Sequence, residues 1–143
     1  MEYMNIVLNL SVLTFLLMVA PSQCFALVSL ADVSKERAKE LGVTVRSHLN
    51  GEAGVAVWLE FKPQGELKNF THVELRITAG GKSLVSAPLQ TSRPTADSVS
   101  VYFSADPTYL ATSVLRIVVK DGERTLIGYE FKVKDFIEPE RSR

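Results

Sequence analysis

Cysteine is almost missing from this sequence: Cys24 is the single one in 143 residues. One thiol forms no intramolecular disulfide, so the small disulfide-stapled scaffolds of secreted proteins are excluded. A zinc site built on several thiolates is excluded with them. An excess of one charge is missing as well, because sixteen Lys and Arg balance sixteen Asp and Glu. Binding along a phosphate backbone needs a clustered basic surplus, which supplies most of the affinity. Nucleic acid is therefore not an expected partner. Catalytic signatures are also missing. There is no G-x-S-x-G elbow, no D-x-D-x-D-G calcium loop and no closely spaced histidine pair. The two glycines of "AGGK", residues 79–82, lie between two strand patterns, where they cannot open a helix onto a phosphate.

Basic residues are absent from the first 26 positions, which carry a single acid, Glu2. Residues 6–20, "IVLNLSVLTFLLMVA", are apolar except for Asn9, Ser11 and Thr14. That run is shorter than the ~20 residues that span a ~30 Å hydrocarbon core. It fits the apolar region of a secretory signal peptide. Pro21 then breaks the helix, and Cys24 and Ala26 place small residues where a signal peptidase inspects them, which predicts cleavage after Ala26. The leading "MEYMN" lacks the usual positive charge, so an uncleaved anchor over residues 6–30 is the alternative. The expected location is exported, periplasmic or extracellular, with membrane contact only through an uncleaved N-terminal segment. Cleavage also removes Cys24 and leaves about 117 residues, enough for one apolar core without covalent staples.

Past residue 26 the pattern is first helical, then alternating. Residues 32–41, "DVSKERAKEL", carry Val33, Ala38 and Leu41 on one side, with Asp32 or Ser34 as N-cap and Gly42 as terminator. Residues 27–42 are thus a short amphipathic helical lead. Alternation follows in residues 43–49, with Val43 and Val45 facing in and Thr44, Arg46 and His48 facing out. "NGEAG", residues 50–54, is a turn before the strand "VAVWLEF". "THVELRITA" puts Val73, Leu75 and Ile77 inward, and Gly80-Gly81 turns it back into "KSLVSAPLQ". "SVSVYFS", "VLRIVVK" and "TLIGYEFKV" complete about seven strands, the last two joined by a turn at Asp121-Gly122. Residues 137–143 form a charged, proline-interrupted tail expected to fray.

Short strands with one apolar face each and no βαβ alternation predict an all-β antiparallel sandwich over residues 43–136. The size suits an immunoglobulin-like or fibronectin-III-like topology, preceded by one short helix. A small antiparallel β-barrel is the alternative.

Chemistry-bearing residues are few. His48 and His72 fall at outward-facing strand positions and read as solvated side chains. No catalytic residue is assigned, no cofactor or metal is expected, and the protein reads as a non-enzyme. Asn69-Phe70-Thr71 is a glycosylation sequon of the kind that also arises by chance. Two aromatics remain. Trp58 and Tyr102 alternate onto the polar faces of their strands, among Glu60, Lys62, Ser100 and Ser104. Either they form a binding platform, or Trp58 is covered, by a register slip or by the helix of residues 32–41. The expected role is a binding or accessory module with a protein partner. The alternative is a carbohydrate-binding module using an aromatic face around Trp58.

Overall fold

Among the described residues the period-two alternation becomes seven of nine strands. The computed structural model describes residues 27–49 and 54–137. The signal peptide and its Ala26 cleavage point, most of the residue 50–54 turn and the tail beyond residue 137 lie outside the described residues. The strands are β1 (Leu27–Asp32), β2 (Thr44–Leu49), β3 (Val55–Phe61), β4 (Phe70–Ala79), β5 (Lys82–Leu89), β6 (Thr91–Ser92), β7 (Val99–Ala105), β8 (Ser113–Asp121) and β9 (Thr125–Lys132). One helix, α1 (Lys35–Glu40), separates β1 from β2, and 3-10 turns occupy Gly65–Leu67, Pro107–Thr112 and Val133–Phe136.

Two sheets form, ordered β1-β9-β8-β4-β5 and β2-β3-β7-β6. Lettered from β2 as A, B, C, C′, D, E, F and G, they read A-B-E-D against G-F-C-C′. This is the immunoglobulin-like arrangement. The sheets share no hydrogen-bonded strand pair among the described residues, which sets the barrel aside. The strands beyond the expected seven are β1 and the two-residue β6, each on a sheet edge.

Residues 27–32 depart from the expected helical lead. They form β1, which pairs with β9 in parallel from Leu27 opposite Thr125 to Asp32 opposite Glu130. The chain then crosses between the sheets through α1. Ser34 caps this helix, its Oγ accepting from the Arg37 N–H at 3.2 Å. Val33, Ala38 and Leu41 are buried in the common core. Six residues do not hold a helix in water alone, so this burial stabilises it.

The core is filled from both sheets. Leu59, Phe61 and Val101 of one meet Val73, Leu115, Ile117 and Phe131 of the other, all shielded from solvent. Burying each such side chain contributes about 1.5–3 kcal/mol. The β4–β5 hairpin turns at Gly80 and Gly81, at φ +56° and +74°, where a side chain would be strained. A clamp ties α1 to the sandwich: Arg37 Nη2 donates to both carboxylate oxygens of Glu66, at 2.6 and 2.7 Å. Tyr129 Oη of β9 donates to the same carboxylate at 2.9 Å.

Candidate functional site

Residues of one sheet face are set by register, and the outer face of the four-stranded sheet is built in rows. Thr44, Glu60 and Ser100 lie side by side across β2, β3 and β7; Arg46, Trp58 and Tyr102 form the next row; His48, Ala56 and Ser104 form the third. Trp58 is therefore central, with a cation on one flank and an aromatic on the other. Its ring meets that of Tyr102 at a centroid separation of 5.1 Å and a tilt of 47°. The separation is within the range of attractive aromatic pairs, and the rings are tilted against each other.

Both rings face water. Trp58 is 39% exposed and Tyr102 54%. Neither proposed cover for Trp58 exists. The β3–β7 register runs without a slip from Val55 to Phe61, and the apolar side of α1 is spent on the core. Beside Trp58 lies a hollow of about 360 Å³, lined by Thr44, Arg46, His48, Glu60 and Ser100. The volume falls at the small end of ligand pockets. Sequence reasoning singled out the two aromatics but treated Arg46, His48 and Ser100 as ordinary solvated positions. The signal available was their alternation onto the face of Trp58; what was missing was the pairing that makes them neighbours.

The second histidine belongs to the other sheet. His72 lies on the outer face of the five-stranded sheet, so the two histidines stand on opposite sides of the sandwich and form no common site. Its ring is flanked by Thr71 Oγ1 and Glu74 Oε1, each at 3.0 Å. Hydroxyl, imidazole and carboxylate are thus aligned. The carboxylate, however, is shared with a structural network. Arg116 donates from Nη1 to Glu74 at 3.1 Å and from Nη2 to Glu130 at 2.6 Å. Thr71 also donates to the Val118 carbonyl at 3.0 Å, which leaves its single proton committed to the sheet. This line of residues is a cross-strand brace.

Asn69 of the sequon is exposed at the turn before β4. The edge strand β5 is exposed along nearly its whole length, including Leu84 and Val85. Lys82 and Pro88 are the charged and N–H-free residues that discourage edge pairing. Among the described residues, no three His, Cys, Asp or Glu side chains converge as a metal site requires. None of the described helices is long and apolar enough to cross a membrane. No family model matches the sequence, and no curated protein matches it.

Proposed function

We propose that the protein is an exported, non-enzymatic binding module whose recognition surface is the outer face of the four-stranded sheet, centred on Trp58 and Tyr102. One observation carries this reading. The two aromatics are held against each other, on the polar side of a regular sheet, instead of being drawn into the core. Full burial of a large apolar side chain is worth about 1.5–3 kcal/mol, and the exposed parts of these rings forgo a share of it. Rings fixed by a cross-strand neighbour also lose little freedom when a ligand arrives. Export is supported by the apolar run of residues 6–20 and the small residues before Leu27. The non-enzymatic reading is supported by the separation of the histidines and by the bracing role of Glu74.

A second reading seats a protein partner on the same face. It is favoured by Tyr102, which extends the aromatic surface past the lining of the hollow. The experiment is photo-cross-linking in the native host, with the photoreactive residue at position 102 or, on the opposite face, at Ser86. Adducts at 102 and none at 86 are expected, with an N-terminus at Leu27 in the recovered protein. Adducts at 86 alone overturn the assignment of the face, and retention of residues 1–26 replaces export by membrane anchoring.

A further inference from the structure

The lining of the hollow beside Trp58 is chemically more selective than an aromatic patch. Arg46 brings guanidinium donors, Glu60 brings carboxylate acceptors, and the hydroxyls of Thr44 and Ser100 do both. Among the described residues none of Arg46, His48 and Glu60 has an ion-pair partner. Both charge signs face the same small space. An anion in the hollow meets Glu60, a cation meets Arg46, and an apolar wedge strands both without hydrogen bonds. The matching ligand is neutral, apolar on one flat side, and ringed by groups that donate and accept. A sugar ring has that description. Its C–H face stacks on an aromatic ring, and each hydroxyl can give one hydrogen bond to a carboxylate while taking another from a guanidinium.

From this complementarity we infer that the hollow binds a neutral saccharide, stacked on Trp58 and hydrogen-bonded by Arg46 and Glu60. Tyr102 holds the tryptophan ring in place from the far side and lies outside the hollow itself. The volume of about 360 Å³ accepts a short saccharide segment, not a folded domain. The inference rests on the outer face of this sheet being the recognition surface, and it names the ligand class for that surface.

Trp58 is the sole tryptophan, so its emission reports directly on the hollow. The test titrates the intact protein with neutral oligosaccharides of glucose, mannose, xylose and N-acetylglucosamine, and with heparin and polygalacturonate as acidic controls. At least one neutral oligosaccharide is expected to shift the emission saturably to shorter wavelength at or below millimolar concentration. By calorimetry, Trp58→Ala should weaken that binding roughly tenfold or more, and Arg46→Gln and Glu60→Gln each several-fold, with circular dichroism unchanged. Glu60→Gln keeps the shape of the side chain, so its loss of affinity does not depend on how well Trp58→Ala folds. Three results overturn the inference: no response to any neutral oligosaccharide, binding of the acidic polymers alone, or affinity unchanged in all three variants. A protein adduct from position 102 with no saccharide response discards the ligand class and keeps the face. Neither adduct nor saccharide response discards both.

Discussion

Gly128 lies directly beneath the side chain of Arg116: a Cβ placed on the glycine falls 2.7 Å from Arg116 Cδ and 3.1 Å from Leu30 Cδ2. The missing side chain leaves room for the arginine stem over β9, while its guanidinium reaches Glu130 of β9 on one side and Glu74 of β4 on the other. Gly128→Ala should therefore destabilise the protein by about 1–2 kcal/mol, as an overpacked site does. The sign is informative, because alanine is otherwise favoured over glycine inside a strand by about 0.5–1 kcal/mol. Urea unfolding of the single and double variants checks the cause. In an Arg116→Ala background the penalty should vanish or reverse; a penalty that persists there assigns the effect to the backbone.

Trp58 and Phe131 should respond in opposite ways to truncation. Phe131 is fully buried, and Phe131→Ala is expected to cost about 3–5 kcal/mol. Trp58 is part exposed and flanked by Arg46 and Tyr102, so Trp58→Ala should cost clearly less than Phe131→Ala, with about 0.5–1.5 kcal/mol of it from the aromatic pair. Denaturant midpoints of the two variants give the comparison. The free protein should also emit at the long wavelengths of a hydrated indole; emission typical of a buried indole would contradict the exposure of the ring.

Much of the sandwich was legible because alternation in a half-buried strand states its own orientation. Val73, Leu75 and Ile77 face the core, Glu74 and Arg76 face out, and Gly80-Gly81 turns the chain where the pattern breaks. Ser34 and the stripe of Val33, Ala38 and Leu41 behave as their spacing predicts. Strand β1 was not legible. "LVSLAD" alternates too weakly to separate from a helical lead, and its partner β9 lies about a hundred positions away in parallel register, which leaves no local turn signal. The site was half legible for a related reason. Periodicity put Trp58 and Tyr102 on the polar faces of β3 and β7, but the destination of the stripe on α1 is a tertiary fact. The clamp from Arg37 to Glu66 and Tyr129 ties that helix to the core, leaving the aromatic face open.

Ser47 is a buried hydroxyl that joins β2 to the turn after β9, its Oγ donating to the Phe136 carbonyl at 3.1 Å. Ser47→Ala leaves that carbonyl without its donor and should cost about 1–2 kcal/mol. Amide exchange across residues 133–136 should rise in the variant more than exchange in the strands. Unchanged protection there would place the anchoring of the turn in the packing of Val133 and Phe136.

Glu66 supplies a pH signature. The Arg37 guanidinium, and then the Tyr129 hydroxyl, hold its carboxyl below the ordinary glutamate value. Burial, and then the bond to Glu66, pushes the Tyr129 phenol up. A carboxyl with a depressed folded pKa stabilises the fold above its unfolded pKa, about 4.3. That stabilisation is lost as pH falls through the folded value. Glu66→Gln should therefore be less stable than the natural protein at neutral pH, with the gap closing as the pH drops below the ordinary glutamate value. The ion pair is half-exposed, so added salt should shrink the neutral-pH gap. Tyr129→Phe removes one donor and keeps the ring, so the Glu66 pKa should rise part of the way toward its ordinary value. Urea midpoints at neutral and acid pH, at low and high salt, decide between charge and shape. A gap that stays constant through the acid range would mean that Glu66 acts by packing, and that the clamp on α1 holds without its charge.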